Sequence, residues 1–209
     1  MLEYRIRKGE NNLEESPAFF LIHGYGSNVD DLFSFSPFLP KTHSVISLQA
    51  PLRLGSKSYA WYPLYPKADG SFESNLEMAF KAMDLLIENI EHLNKKYKLN
   101  KGDISLLGFS QGAILSWAIA YRKPKKVRRL IALSGYIHES IETSIFPEFI
   151  AYAAHGLNDP IIPVEKARNS ISKLSEIYTG IEYYEFPDGH TVSEENFSKL
   201  LTWVEKTNL

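Results

Sequence analysis

The chain has 209 residues, of which 44% are hydrophobic and 23% are charged, so it is long enough to fold around a sizeable core. Its formal net charge of −2 argues against nucleic acid or an anionic membrane surface as a partner. With no cysteine it has no thiol nucleophile or disulfide, and with no apolar run of about 18 residues it has no candidate membrane span.

Short apolar runs alternate along the chain with segments whose apolar residues recur at helical spacing. The predicted strands cover residues 3–8, at a sheet edge, and 18–22, 44–48, 104–107, 128–134, 149–153 and 181–186. The predicted helices cover residues 76–97, 113–120, 163–178 and 193–206. Ser74 and Glu77 are expected to form a capping box at the first of these helices. This alternation predicts one α/β domain over residues 1–209, with a mostly parallel sheet covered by helices on both faces.

The first buried strand is followed by His23-Gly24-Tyr25-Gly26-Ser27. Two glycines directly after such a strand let backbone N–H groups point into a cavity, as in an anion site. Asn28, Asp30 and Asp31 then predict the start of a helix. A strand-to-helix turn without a ligand is an equal alternative for this loop.

The stretch from residue 49 to residue 72 is rich in Pro, Gly, Ser and aromatic residues. Irregular stretches of this length are usually functional. Its aromatic side chains either line an apolar substrate groove or seal the sheet edge. A separate basic run at residues 122–129 follows the helix at 113–120, where we expect it to form a solvated face.

Gly108-Phe109-Ser110-Gln111-Gly112 fits the G-x-S-x-G turn that presents a nucleophilic serine between a strand and a helix. The glycines on either side of the serine let the backbone pass through a tight, strained turn. The flanking predicted strand and helix agree with this interpretation. The alternative is an ordinary Gly-rich turn with a capping serine.

A serine hydroxyl is a poor nucleophile at neutral pH, so it needs a histidine base and a carboxylate that orients the base. Around this turn the three residues follow in the order Ser, Asp or Glu, His, on loops at the carboxyl ends of strands. His190 lies downstream of both other candidates, whereas His23 and His155 precede glycines in turns that serve the fold. Asp159 is the expected carboxylate, because Asp188 would have to fold back to reach a ring only two residues away.

At these residues the chain resembles the phospholipase/carboxylesterase group of the α/β-hydrolase superfamily, which includes the acyl-protein thioesterases. The likeness covers most of the chain and rests on His23-Gly24-Tyr25-Gly26, Ala50-Pro51, Ala60-Trp61-Tyr62, residues 108–112, residues 155–163 and Gly189-His190. It implies an α/β-hydrolase fold with Ser110 as nucleophile, His190 as base and Asp159 as its orienter. It also implies that the backbone N–H groups of Tyr25 and Gln111 stabilise the oxyanion.

The chain departs from the family pattern at three places near the expected groove. Ala113 stands where many members have glycine, Tyr62-Pro63 replaces a Phe-Asp pair, and Tyr25 replaces a leucine. These departures bear on acyl specificity and leave the triad unaffected.

An apolar groove is expected beside the serine. Its predicted lining is Trp61, Tyr62, Tyr136 and Ile161, with further walls from residues 59–72, from Phe33, Phe35 and Phe38, and from Ile137. The connection at residues 135–148 is too short for a helical cap, so we expect no lid or cap domain.

Together these features predict a serine esterase or thioesterase that cleaves small-molecule acyl esters or thioesters and needs no metal or organic cofactor. Lysophospholipid and acyl-protein substrates both stay open. The rival hypotheses are a non-catalytic binding protein of the same fold, and a peptidase or transacylase that uses the same triad. No signal-peptide pattern is present at the start, so we expect a cytoplasmic protein without stable membrane insertion, either a monomer or a homodimer.

Overall fold

A computed structural model describes residues 1–10, 14–68, 72–143 and 147–208. The strands are, in chain order, β1 (Tyr4–Arg7), β2 (Ser16–Ile22), β3 (Ser44–Leu48), β4 (Leu52–Arg53), β5 (Tyr59–Ala60), β6 (Leu64–Pro66), β7 (Phe72–Ser74), β8 (Leu99–Phe109), β9 (Arg129–Leu133), β10 (Ile150–Gly156) and β11 (Ile181–Phe186). The α-helices are α1 (Leu76–Tyr97), α2 (Gln111–Arg122), α3 (Val164–Ala167), α4 (Lys173–Ile177) and α5 (Glu194–Lys206). A π-helical turn at Arg168–Ser172 joins α3 to α4, and 3-10 helices cover Leu32–Phe38 and Pro124–Lys126.

The main sheet has seven strands in the order β1-β3-β2-β8-β9-β10-β11. The edge strand β1 pairs antiparallel with β3, and the other neighbours pair parallel. Because parallel neighbours need crossover connections, the helices cover both faces, and the predicted α/β-hydrolase architecture is confirmed. The carboxyl ends of β2, β8, β10 and β11 therefore lie along one edge of the sheet.

The core is split by the sheet into two apolar layers. Alternate residues of β2 show the division, since Ala18, Phe20 and Ile22 belong to one layer and Phe19 and Leu21 to the other. The first layer includes buried residues of α1 and α2, and the second includes buried residues of α5. This two-sided burial explains why the central strands are continuous apolar runs.

The structure corrects the predicted N-cap of one helix and the predicted type of another. Helix α1 covers the predicted residues, but its N-cap is Asn75 and not Ser74, and the Asn75 side chain accepts a hydrogen bond from the Met78 N–H at 3.0 Å. Ser74 instead ends β7. After β2, the predicted helix is a 3-10 helix, and its first-turn neighbour Asp31 makes no side-chain cap but accepts a hydrogen bond from Ser27.

Two further expectations change in detail. The stretch at residues 49–72 contains two short antiparallel pairs, β4 with β5 and β6 with β7, in its described part; Asp69, Gly70 and Ser71 lie outside it. The basic run is a solvated face only in part, because the Arg129 side chain has no solvent exposure. Its guanidinium lies 2.6 Å from Asp103, which Arg128 also contacts. None of the described helices is long and apolar enough to cross a membrane.

Candidate active site

Ser110 occupies the turn between β8 and α2 in a backbone conformation that L-residues rarely adopt, with φ at 53° and ψ at −116°. The flanking glycines are needed for close approach. A Cβ on Gly108 would lie 2.3 Å from the Gly112 carbonyl oxygen, and a Cβ on Gly112 would lie 1.9 Å from that of Ile22. The glycines therefore pack the turn against β2, while the strain is carried by the serine itself.

Three side chains from three different loops form one hydrogen-bonded chain. The Ser110 Oγ lies 2.9 Å from Nε2 of His190, and Nδ1 of the same ring lies 2.6 Å from Oδ2 of Asp159. Because a carboxylate only accepts, Nδ1 carries the hydrogen and the Nε2 lone pair faces the serine hydroxyl. The arrangement leaves the ring able to take the proton of Ser110. These are the three residues that the sequence predicts as a triad, in the predicted order.

Asp159 is held by backbone donors as well as by the imidazole. Its Oδ1 accepts hydrogen bonds from the N–H groups of Ile161 at 2.8 Å and Ile162 at 2.9 Å. Its side chain has no solvent exposure, so these donors replace the water that a carboxylate would otherwise bind. The rival Asp188 makes no contact of this kind, and its buried Oδ2 has no hydrogen-bond partner among the described residues. The structure thus brings Asp159, not Asp188, to His190.

The two predicted oxyanion donors lie on the loops that follow β2 and β8. Neither the Tyr25 N–H nor the Gln111 N–H donates to an acceptor within the described part of the chain. The Gln111 amide is the first of α2, where helical N–H groups lack a partner in the preceding turn. Both residues also line the cavity that Ser110 borders.

The side chain of Gln111 binds the backbone of a distant loop, which the sequence does not reveal. Its Oε1 accepts from the Trp61 N–H and its Nε2 donates to the Tyr62 carbonyl, each at 2.9 Å. Trp61 in turn donates its indole N–H to the His23 carbonyl at 2.8 Å. These bonds tie the loop after β5 to the loops that carry Tyr25 and Ser110.

A cavity of about 370 Å³ lies beside Ser110 and His190, within the range of about 300–1,000 Å³ typical of small-molecule sites. Its lining is mainly apolar and aromatic: Tyr25, Tyr62, Leu64, Phe72, Ile114, Tyr136, Ile161, Ile162 and Pro163, with Ser74, Gln111 and Lys166. Burial raises the pKa of the Tyr62 and Tyr136 phenols, so both stay uncharged at neutral pH. The cavity wall is therefore mainly apolar, with two neutral tyrosines and one lysine among its lining residues.

Three of the four residues predicted to line the groove, Tyr62, Tyr136 and Ile161, line this cavity. Trp61 does not, because its indole is turned beneath the loop to reach His23. Other predicted walls also lie elsewhere.

Phe35 and Phe38 pack against Phe197, with ring centroids 4.5 Å and 5.4 Å apart. Phe33 packs against the core layer on the α5 side of the sheet, and Tyr59 against the opposite layer. Ile137 faces a neighbouring depression.

The described residues include most of the connection between β9 and β10, which is where a cap would be inserted. Between β9 and β10 these residues form no helix or strand; Ser144, Ile145 and Phe146 of the predicted connection lie outside them. Nowhere in the described part of the chain are three His, Asp or Glu side chains grouped as ligands for a metal ion. The described part of this connection thus supplies no helical cap, and it contributes Tyr136 to the cavity wall.

Comparison with known proteins gives a family. The sequence profile of the family described as Phospholipase/Carboxylesterase matches residues 8–208. Acyl-protein thioesterase 1 of Kluyveromyces lactis is 25% identical, over 90% of this chain and 91% of that protein. Acyl-protein thioesterase 1 of Candida albicans is 23% identical, over 96% of each chain.

Solved structures share the fold at low sequence identity. The esterase PE8 superimposes with a TM-score of 0.85 at 24% identity and covers 99% of both chains. The Bacillus cereus carboxylesterase superimposes with a TM-score of 0.82 at 20% identity, over 99% of this chain and 95% of that one. The serine turn, the loop order and the profile match agree: the chain belongs to the phospholipase/carboxylesterase family and is an esterase or thioesterase of that family.

Proposed function

We propose that this protein hydrolyses carboxylic esters or thioesters of short and medium acyl chains through a covalent acyl-enzyme on Ser110. The observation that supports this most directly is the hydrogen-bonded chain from Ser110 through His190 to Asp159, which begins at the wall of an apolar cavity. A base within 2.9 Å of the nucleophile and a carboxylate within 2.6 Å of the base are the distances that triad chemistry needs.

In the acylation half, the Nε2 atom of His190 takes the Ser110 proton as Oγ attacks the acyl carbon. The carbon becomes tetrahedral and its oxygen gains the negative charge. Collapse of this intermediate breaks the bond to the leaving alcohol or thiol, which takes the proton back from Nε2. The acyl group stays on Oγ as an ester.

In the deacylation half, a water molecule gives its proton to His190 and attacks the same carbon. The bond to Oγ then breaks, Ser110 recovers the proton, and the carboxylic acid leaves. Asp159 stays ionised throughout and stabilises the imidazolium that forms in each half. The unpaired amides of Tyr25 and Gln111 would receive the oxyanion, each contributing about 2.7–4 kcal/mol at the transition state.

The acyl-chain preference is inferred from the cavity. Its apolar walls reward each buried CH₂ by about 0.8 kcal/mol until the available space is filled. The described residues of the β9 to β10 connection supply no helical cap, so dissolved substrates would reach Ser110 without a lid opening. The thioesterase names of the fungal relatives support including thioesters among the substrates.

Covalent labelling tests the nucleophile. A fluorophosphonate probe is expected to add one phosphonyl group to Ser110, because the histidine beside this hydroxyl is itself oriented by a carboxylate. The Ser110→Ala variant should lose both labelling and hydrolysis while its melting temperature stays close to that of the parent. Ser134→Ala is a matched control, because Ser134 is also a buried serine with a positive φ at a strand end. This variant should be labelled as fully as the parent, because the probe does not react with Ser134. Labelling that persists in Ser110→Ala would refute the assignment.

A substrate panel tests the reaction class. Purified protein should hydrolyse p-nitrophenyl esters and acyl thioesters of matched chain length, with much slower turnover of the matching anilides. Lysophospholipid and an S-acylated peptide complete the panel and separate small from macromolecular acyl donors. Faster cleavage of the amides would instead favour a peptidase on the same triad.

A further inference from the structure

His155 lies beside the carboxylate of Asp159 but takes no part in the steps above. It is near the end of β10, in register with Glu185 of β11, and its side chain has no solvent exposure. Its Nε2 lies 2.8 Å from the Ile162 carbonyl oxygen and 3.2 Å from Oδ2 of Asp159. Both neighbours are acceptors, so Nε2 must carry a hydrogen.

The other nitrogen of this ring supports the same assignment. Nδ1 of His155 is buried and has no hydrogen-bond partner within the described residues. An N–H at this position would be buried without an acceptor, which is unfavourable. The neighbouring carboxylate of Glu185 is already held by two bonds from Arg168 at 2.7 Å and one from Tyr183 at 3.0 Å. The hydrogen of His155 therefore sits on Nε2, next to Asp159.

We propose that His155 is a positioning residue that fixes the carboxylate of Asp159 for its contact with His190. It would act in two ways. Its N–H holds the Ile162 carbonyl, and the N–H of the same Ile162 donates to Oδ1 of Asp159 at 2.9 Å. The same Nε2–H edge also faces Oδ2, the oxygen that accepts the hydrogen bond from His190. The inference rests on the proposed function of Asp159.

This role would appear in turnover and not in substrate binding. His155 does not line the cavity, so its loss should leave the binding of the acyl group unchanged. It should instead loosen the turn at residues 159–162 and misalign the contact between Asp159 and His190. A misplacement of about 1 Å in a catalytic constellation costs up to about a hundredfold in rate.

The test compares His155→Phe with His155→Gln. Phenylalanine fills the space without a donor, whereas the glutamine amide nitrogen can return an N–H to the position of Nε2. We expect His155→Phe to lower kcat at least about tenfold with KM within about twofold of the parent. His155→Gln should recover most of the loss. The downfield proton resonance of the His190 Nδ1–H should move or broaden in the Phe variant and return in the Gln variant.

A double-mutant cycle separates positioning from a general loss of packing. In an Asp159→Asn background, His155→Phe should change kcat by less than about twofold, because its effect passes through the carboxylate. His43→Phe is a matched control at the opposite edge of the sheet, another buried histidine with one partnered and one unpartnered ring nitrogen. It should lower the melting temperature alone.

Three outcomes would overturn the inference: an unchanged kcat in His155→Phe, the same loss in both backgrounds, or no rescue by glutamine in a folded variant. If Asp159→Asn itself leaves kcat unchanged, the proposed function fails as well. The two failures are therefore distinguishable.

Discussion

Buried ionic clusters occupy both ends of the parallel strands, and they are built differently. At the amino ends, the Arg129 guanidinium donates to Asp103, to the Ser105 hydroxyl and to the Thr207 carbonyl, so its donors point at acceptors supplied by the fold. At the carboxyl ends, the chain of hydrogen bonds terminates at the Ser110 hydroxyl on the wall of a cavity. We call the Arg129 cluster closed, because its donors are bound by acceptors of the fold. We call the Asp159–His190–Ser110 cluster open, because its last atom, the Ser110 Oγ, borders the cavity and can react with a substrate.

The largest effect should come from the carboxylate of the open cluster. Asp159→Asn is expected to lower kcat by about 10⁴, because an amide no longer favours the ring tautomer whose Nε2 faces Ser110. The free energy of unfolding should change little, since the amide has nearly the same shape. Steady-state kinetics with a medium-chain ester measures the loss.

Asp188→Asn is the matched control for that experiment, as the second acidic residue close to His190 in sequence. It should keep most of the activity, because its side chain makes no hydrogen bond with the histidine ring. Reversed results would mean that Asp188 orients the base.

The closed cluster should respond in the opposite way. Asp103→Ala leaves the fully buried Arg129 with one carboxylate fewer, and breaking such a pair is expected to cost about 3–5 kcal/mol of unfolding free energy. Burial already lowers the pKa of Arg129, and Asp103 opposes that shift. Activity per folded molecule should stay at the parental level.

Urea unfolding, together with kcat below the transition, would check this contrast. The surface pair of Arg5 and Asp30 supplies a control, because both side chains are about half exposed or more and Asp30→Ala should cost less than about 1 kcal/mol. A large loss of kcat in Asp103→Ala would break the distinction between the two clusters.

A third prediction uses His43, a buried histidine whose pKa is also influenced by the charges of Asp103 and Arg129. Burial lowers the pKa of His43 to about 4, whereas an unfolded histidine has a pKa of about 6.5. Between these values the unfolded chain binds the additional proton, so stability falls as the pH drops through this window, by up to about 1.4 kcal/mol per unit. Burial lowers the pKa of His23 too, which adds to the same trend.

The measurement is urea unfolding from pH 7 to pH 4 for the parent and for His43→Phe. The variant should show a flatter dependence on pH, because one group that titrates only in the unfolded state has been removed. Parallel curves for the two proteins would exclude His43 as a source of the acid sensitivity.

The smallest expected effect concerns the cavity. Across a series of p-nitrophenyl esters, kcat/KM should rise with each added CH₂ and then reach a plateau when the cavity is filled. The corresponding gain in transition-state stabilisation is up to about 0.8 kcal/mol for each CH₂. No jump should accompany the passage of the substrate through its solubility limit, because no lid needs to open. A sharp increase at that limit, as lidded lipases show at an oil surface, would contradict access to Ser110 without a lid.

The sequence predicted those features that depend on local pattern. Apolar runs located the strands, because a strand buried on both faces must be apolar throughout, as in β2. The serine turn and the order of the three loops predicted which side chains meet, and the structure brings Ser110, His190 and Asp159 together. The order of the three loops was sufficient for this prediction, because the carboxyl ends of parallel strands lie along the same edge of the sheet.

Features that depend on distant partners escaped prediction. Trp61 was expected in the groove, but its indole donates to the His23 carbonyl, 38 residues away in sequence. Arg129 was expected in a solvated run, yet Asp103, 26 residues earlier, draws it into the interior. The cap of α1 is Asn75 and not Ser74, because both residue types cap helices well and Ser74 is paired with the distant Leu64 at the end of β7.

The loops that carry Asp159 and His190 touch backbone to backbone. A Cβ on Gly156 would lie 2.2 Å from the Gly189 carbonyl oxygen, and the Asn158 N–H donates to the Asp188 carbonyl at 2.9 Å. Main-chain contact thus sets the spacing between the two loops, and none of these contacts involves a residue of the cavity wall. Substitutions at cavity residues such as Leu64 and Phe72 should therefore alter the substrate range while the contact between Asp159 and His190 is kept.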